Sequence, residues 1–370
     1  MKNNIVCAIV VEYNPLHNGH ILHINKAREL TKCNTLVAIM SGNYVQRGEV
    51  SIIDKWERAK QAILNNVDLV IELPYIFATQ SATQFAEGAI TLAKLINANY
   101  LVFGSETNNV ENLKEIASMN INVDHLKENM KQGTSYISSY SLLQGSYYSN
   151  DILGIAYIKA IKDSNIIPLT IQRTTNYHDD TITSSIASAT SIRKAILNNE
   201  SFNNATNMNF KYTNNNSNYY LYLKFLLTTL SPSYLSNIFL ISEGIENHLI
   251  NCIKLTNNYD EFINKAINRR YTKGRIQRTI IHILNQITKD DVKNLPKLDY
   301  IRPLAFNSIG QKHLKYLKDN EINIASSFAQ IPYAYQQMEL KTTRTYCNLL
   351  IEPYNTEVLK RELLGPIIIK

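Results

Sequence analysis

The chain has 370 residues, long enough for two domains at roughly 100–200 residues each. With 45% hydrophobic residues and no apolar run near the ~18–20 residues of a membrane span, the composition excludes wholesale disorder and an integral helical membrane protein. Its 38 Lys+Arg against 31 Asp+Glu give a formal charge of +7, which permits a nucleic-acid partner without requiring one.

The N-terminal apolar run Ile5–Val11 is short and leads into Glu12-Tyr13-Asn14, not into a signal-peptide cleavage site. Cys7, Cys33, Cys252 and Cys347 lack the paired spacing of a zinc site or a disulfide framework. The expectation is a soluble, reduced, cytoplasmic protein.

Five near-continuous apolar runs read as parallel strands covered on both faces: Ile5–Val11, Thr35–Met40, Asp68–Glu72, Tyr100–Phe103 and Ile167–Ile171. Helical periodicity separates them at Gly19–Leu30, Lys55–Asn65 and Ala82–Ile96. That alternation predicts an α/β fold with a doubly wound, Rossmann-like parallel sheet. After a helix at Ser191–Leu197, the Asn-, Ser- and Thr-rich stretch Asn198–Asn218 reads as a linker or surface loop. Helices follow at Tyr219–Leu230, Glu243–Leu255, Tyr259–Ile267 and Arg275–Ile287, and the tail from Tyr300 mixes short apolar runs with turns. The division expected is a catalytic domain, 1–200, and a mainly helical domain, 201–370.

Open α/β sheets bind ligands at the carboxyl ends of their strands. After the first strand come Glu12-Tyr13-Asn14-Pro15-Leu16-His17-Asn18-Gly19-His20, neither a Walker loop nor a dinucleotide fingerprint. Two histidines flank a glycine where a helix should start. A helix N-terminus attracts anions, Gly19 allows close backbone approach, and His17 and His20 can donate to one phosphoryl group. Such donors stabilise charge on a pentacovalent α-phosphorus. The run His17, His20 and His23 also has metal-like spacing, but no neighbouring Asp, Cys or further His completes it, so no metal ligand is assigned. Helix-start histidines without function are the remaining reading.

The His17-Asn18-Gly19-His20 motif is similar to the His-x-Gly-His signature of the nucleotidyltransferase superfamily. Ser188-Ala189-Thr190-Ser191-Ile192-Arg193, after the fifth strand, resembles that superfamily's second signature, Ser-x-Thr-x-x-Arg. The stretches Val10–His20, Met40–Glu49, Asp68–Pro74, Phe103–Glu106, Asn150–Gly154, Tyr177–Asp179 and Ala187–Arg193 further resemble the bacterial tRNA(Met) cytidine acetate ligase family. The likeness runs through the first 200 residues and more loosely to the end. One departure is Ser149-Asn150-Asp151 where the family pattern has Pro-Asn-Asn, so either Asn150 or Asp151 meets the nucleotide.

The resemblance implies that ATP, acetate and the wobble cytidine of elongator tRNA(Met) give N4-acetylcytidine, AMP and pyrophosphate, with Mg2+ accompanying ATP. It implies catalytic roles for His17, His20 and Arg193. It places Val10, Val11, Glu12, Tyr13, Asn14, Pro15, Gly19, Gly104, Asn150, Arg173, Thr174, Thr190 and Ser191 around ATP. Acetate needs no general base, whereas the cytidine amine does; Glu12, Glu72 and Glu106 sit near strand ends as candidates. Lys55 and Arg47 face either the site or solvent.

Arg269-Arg270-Tyr271-Thr272-Lys273-Gly274-Arg275-Ile276-Gln277-Arg278 holds five basic residues and no acidic one. It reads as a phosphate clamp for tRNA, formed by Arg269, Arg270, Lys273, Arg275 and Arg278, with Tyr271 stacking on a base; a generic basic helix face is the plain alternative. The competing functions are a small-molecule adenylyltransferase of the same superfamily and a binding protein without catalysis. Oligomeric state and the acetate pocket are not encoded in any recognisable motif.

Overall fold

The computed structural model of the protein describes residues 4–119, 148–173, 187–202 and 204–370. The first half runs β1 (Val6–Val11), α1 (Asn18–Thr31), β2 (Thr35–Ser41), β3 (Tyr44–Val45), β4 (Glu49–Val50), α2 (Lys55–Leu64), β5 (Leu69–Leu73), α3 (Tyr75–Ala78) and α4 (Ala82–Leu95). It continues with β6 (Tyr100–Ser105), α5 (Val110–Ser118), α6 (Ser149–Ile161), β7 (Ile167–Gln172) and α7 (Ala189–Leu197). Next come α8 (Tyr220–Thr229), α9 (Pro232–Leu235), α10 (Ile245–Ile253), α11 (Tyr259–Ala266), α12 (Lys273–Leu284) and α13 (Lys289–Lys293). The tail holds β8 (Tyr300–Ile301), β9 (Pro303–Phe306), α14 (Ser308–Asp319), β10 (Asn323–Ile324), α15 (Tyr333–Cys347), α16 (Tyr354–Glu362) and β11 (Ile367–Ile368).

Seven strands form one mostly parallel sheet in the order β11-β9-β5-β2-β1-β6-β7. Strand β1 sits between β2 and β6, with Val6 opposite Thr35 and Cys7 opposite Tyr100. The chain therefore steps outward from β1 to β2 and β5, then returns to the other flank of β1 as β6. That reversal is a topological switch point, and it opens a crevice beyond the carboxyl ends of β1 and β6.

Every residue of β2 and β5 is buried, as strands covered on both faces require. Alternate residues of β2 serve opposite cores: Val37 and Ile39 face one, Leu36, Ala38 and Met40 the other. The five strands expected from apolar runs are all present, but β7 lies at the sheet edge and is half-buried, not covered on both faces as expected. Strands β9 and β11 add to the edge from beyond residue 300, with β9 antiparallel to β5, Val70 opposite Ala305.

The Asn-rich stretch differs from the solvated linker expected. Ala205, Thr206, Met208 and Asn214 are buried within it. Thr206 Oγ1 donates to Leu16 O at 2.6 Å, Asn18 N donates to Ala205 O at 3.0 Å, and Asn214 N donates to Ile52 O at 2.9 Å. Backbone and side-chain hydrogen bonds strap it against the loop after β1, a role that polar composition disguises.

Candidate active site at the carboxyl edge of the sheet

Helix α1 is capped by imidazoles. His17 occupies the N-cap, and its Nδ1 accepts from Gly19 N at 3.1 Å; His20 Nδ1 accepts from His17 N at 3.3 Å. This is a capping box with histidine at both ends. A ring nitrogen that accepts carries no proton, so both neutral rings hold their hydrogen on Nε2. The two rings stand 3.8 Å apart, and the edge of Tyr13 meets His20 at 5.0 Å. Burial pushes His17 down to about 4, with the nearby charges of Arg173 and Arg193 adding to the effect. Burial likewise holds His20 well below its ordinary range, followed by the effects of His17, His23 and Arg173. Both rings are neutral Nε2–H donors at neutral pH.

The cap uses the Nδ1 atoms of His17 and His20, and among the described residues no three His, Cys, Asp or Glu are placed to hold a metal ion. His23 is half-buried, and its buried Nε2 has no hydrogen-bond partner among the described residues.

Two arginines hold the loop between β1 and α1. Arg193 Nη1 donates to Asn14 O at 2.8 Å. On the other side, the wholly buried Arg58 donates from Nη1 to Glu12 O at 2.5 Å and Ser41 O at 3.2 Å, from Nη2 to Gly42 O, and from Nε to Ile53 O at 3.1 Å. Between them Tyr13 adopts a left-handed backbone, φ 50°, with its ring buried. Asn14 Oδ1 accepts from Ile52 N at 2.8 Å, so this asparagine braces the loop and turns its side chain inward. Val10 and Val11 end β1, Pro15 follows a cis peptide, and Gly19 lies in the first turn of α1.

Arg193 reaches this loop from α7, whose first turn is fixed by Ser188 accepting from Ser191 N at 3.0 Å. Thr190 Oγ1 lies 3.5 Å from Arg193 Nη2, and Glu49 Oε2 pairs with the same nitrogen at 3.2 Å. Ser191 itself is buried in that cap, while Thr190 borders Arg193.

A second group gathers where β6, β7 and α6 meet. Gly104 stands where a Cβ would press on the Arg173 side chain, 3.2 Å from Cγ, so glycine keeps room for that arginine. Arg173 Nη1 lies 3.4 Å from Asn150 Oδ1. Asp151 points elsewhere: fully buried, it accepts from Ser105 Oγ at 2.5 Å and Thr107 N at 3.2 Å. Of the two residues left open by the sequence, Asn150 faces Arg173 and Asp151 is bound into the β6–α5 turn. Thr174 lies outside the described residues, as do Tyr177, His178 and Asp179.

The three candidate bases separate sharply. Glu72 is buried between Lys55 Nζ at 2.6 Å and Arg302 Nη1 at 2.7 Å, one oxygen to each. Glu106 caps α6, accepting on Oε1 from Asn150 Nδ2 at 2.5 Å and on Oε2 from Asp151 N at 3.1 Å. Glu12 accepts from Gln46 N at 2.8 Å on Oε1, and burial pushes its carboxyl up. Lys55 is neither solvated nor among the phosphate-facing groups, because Glu362 also binds it at 2.9 Å. Arg47 lies in the hairpin between β3 and β4, where its charge acts on Glu12.

The basic segment opens α12. Arg269, Arg270 and Lys273 are exposed. Arg275 pairs with Glu243 at 3.3 Å, and Arg278 Nη1 donates to Gln46 O at 3.3 Å. The stacking expected of Tyr271 needs correction. Its ring is buried, its hydroxyl donates to Glu243 O at 3.1 Å, and Arg270 and Arg275 lie 5.7 and 5.2 Å from its centroid. An inward aromatic at the end of a helix looks the same in sequence as an outward one.

Sequence reasoning missed Arg58 because an arginine inside an amphipathic helix reads as solvated. Glu49 and Gln46 lay inside a stretch that resembles the family, yet nothing in their spacing signalled their contacts with Arg193 and Glu12.

Comparison with known proteins agrees with this geometry. The HIGH Nucleotidyl Transferase family profile matches residues 4–362. A tRNA(Met) cytidine acetate ligase of Oceanobacillus iheyensis is 36% identical, covering 98% of this chain and 99% of its own. One from Bacillus subtilis is 34% identical over 94% of this chain and 93% of its own. The crystal structure of Thermotoga maritima TmcAL superposes with a TM-score of 0.89 at 27% identity over 99% of both chains. A second form of that protein, bound with alpha-thio ATP, gives 0.87 at 28% identity over 99% of both chains. With its imidazole-capped first helix at the switch point, the chain belongs to the HIGH nucleotidyl transferase family, among the tRNA(Met) cytidine acetate ligases.

Proposed function

We infer that the protein activates acetate with ATP to form acetyl-AMP and pyrophosphate, then acetylates N4 of the wobble cytidine of elongator tRNA(Met). The observation that carries this reading is the pair of neutral Nε2–H donors, His17 and His20, beside Arg193 and Arg173 at the switch point. The names of the full-length relatives supply the acid and the tRNA. A small-molecule adenylyltransferase is not favoured, because the likeness to tRNA-modifying ligases spans both halves of the chain.

In the first step a carboxylate oxygen of acetate attacks the α-phosphorus and pyrophosphate leaves. Acetate arrives as its own nucleophile, so the protein's contribution is alignment and charge neutralisation. His17 and His20 donate to the non-bridging oxygens on which charge grows. Arg193 draws the departing pyrophosphate, and Arg173 with Asn150 and Gly104 seats the nucleoside side. Mg2+ bound to the triphosphate would supply further charge neutralisation as pyrophosphate leaves.

In the second step the cytidine amine attacks the acetyl carbonyl, the bond to AMP breaks, and the nitrogen sheds a proton. Glu12 takes that proton on Oε2, the oxygen its Gln46 hydrogen bond leaves open. Residues 269–278 receive the tRNA. They place cations at the positive end of α12, whose own first turn holds no acidic residue, although Glu243 pairs with Arg270 and Arg275; cations at that end cost helix stability and favour phosphate. The domain assignment proposed is catalysis centred on 1–200 and tRNA contact centred on the helices within 201–370, whose strands β9 and β11 complete the catalytic sheet.

The test is product analysis. Labelled acetate, ATP and elongator tRNA(Met) should yield labelled N4-acetylcytidine after digestion. Labelled adenylate with unlabelled tRNA would give the second step to another acceptor, and inert ATP would remove the enzymatic reading.

A further inference from the structure

The hairpin of β3 and β4 lies between the two functional regions. On one side Gln46 N donates to Glu12 Oε1 at 2.8 Å, and Glu49 Oε2 pairs with Arg193 Nη2 at 3.2 Å. On the other side Gln277 Nε2, on α12, donates to Glu49 Oε1 at 3.5 Å, and Arg278 Nη1 donates to Gln46 O at 3.3 Å. Gly48 makes the contact close: its φ is +77°, and a Cβ there would fall on the backbone of Gln277 and Arg278. One carboxylate thus joins the arginine of the phosphate site to the helix that opens with the basic segment.

Glu49 has no place in the chemistry just described, and an acidic group beside a triphosphate site is electrostatically unfavourable for binding ATP. Its two oxygens nevertheless face different partners, one in each half of the chain. We propose that Glu49 is a positioning residue that couples nucleotide binding at Arg193 to RNA docking on residues 269–278. The proposal rests on the tRNA ligase reading. Phosphate oxygens on Arg193 fix its guanidinium, the fixed guanidinium fixes Glu49, and Glu49 fixes Gln277 and the first turns of α12. RNA then meets an ordered basic segment, so the ordering entropy is spent once for both ligands. Linkage makes the effect reciprocal.

The experiment measures the Kd of elongator tRNA(Met) by filter binding at one salt concentration, with and without saturating α,β-methylene ATP, which blocks adenylate formation. In the wild type the analogue tightens tRNA at least about fivefold, the lower end of ordinary allosteric coupling. In Glu49→Gln the tightening falls below about twofold. Gln277→Leu cuts the same link from the α12 side, leaves the Arg193–Glu49 pair in place, and gives the same loss. Because each variant is compared with itself, a general loss of stability cancels in the ratio. Wild-type tightening in both variants, or no tightening in the wild type, overturns the proposal. N4-acetylcytidine formation by the wild type is scored in parallel: its absence contradicts the ligase reading, whereas its presence without coupling contradicts the tether alone.

Discussion

His17 and His20 cap each other's helix turn through Nδ1, and this one relationship fixes what both rings can do. His20 Nδ1 accepts the backbone N–H of His17, while His17 Nδ1 accepts that of Gly19. The acceptors are spent inside the protein, and each neutral ring keeps its hydrogen on Nε2. Protonating either ring would put a hydrogen where the cap needs a lone pair.

Acid should therefore destabilise the ligand-free protein through its histidines. His17 and His23 are pushed down to about 4 and His282 to about 3, each mainly by burial. The unfolded chain takes up protons as pH falls past about 6.5, while the native histidines resist until near 4. Their stabilisation is full above pH 6.5 and is lost between there and about 4. Thermal melting across that range should show a falling Tm. His17→Asn, which keeps an N-cap acceptor and removes one titrating ring, should shallow the slope; an identical slope would show that the cap does not resist protonation.

Arg58→Lys should destabilise the fold by about 3 kcal/mol or more. Four backbone carbonyls, from Glu12, Ser41, Gly42 and Ile53, share its guanidinium, and an ammonium cannot meet that spread. Each buried acceptor left unpaired costs about 1–3 kcal/mol. Urea unfolding measures it, and an unchanged midpoint would contradict the clamp.

Much of this architecture was legible beforehand, for a physical reason. The inner strands β1, β2, β5 and β6 are largely buried, so they read as unbroken apolar runs, and a helix start with two histidines and a glycine is conspicuous. What escaped detection was assembled through space. Strand β9 is four residues long and β11 two, too short for periodicity to register. Asn198–Asn218 looked like a linker because its hydrogen-bonding side chains, which strap the site loop, are the same ones that solvated loops carry. Asn150 and Asp151 were indistinguishable until the buried Ser105 hydroxyl claimed Asp151.

Glu12→Gln should separate the two chemical steps. Loss of a positioned general base typically costs about 10²–10⁴-fold, and that loss should fall on acetyl transfer to tRNA. Acetate-dependent exchange of pyrophosphate into ATP should drop far less, because adenylation needs no base. Equal losses in both assays would assign Glu12 to nucleotide binding alone.

The exposed cations of the α12 segment should contribute additively and without structural cost. Arg269→Ala/Lys273→Ala should lower the slope of log K for tRNA against log salt by about 1.4–1.8, at ~0.7–0.9 per phosphate contact. Arg270→Ala/Arg275→Ala should weaken tRNA binding as well, and should also loosen the packing around Glu243 and Tyr271. An unchanged salt slope in the first pair would move the RNA surface elsewhere.

The most direct measurement is acetate-dependent exchange of labelled pyrophosphate into ATP, without tRNA, in the wild type and in His20→Ala. An Nε2–H donor at the α-phosphorus predicts exchange that requires acetate in the wild type and falls below about 1% in the variant, the loss ordinarily seen on removing one donor to a developing charge. Wild-type exchange rates in His20→Ala, with the protein folded, would contradict the placement of adenylation at the imidazole-capped end of α1.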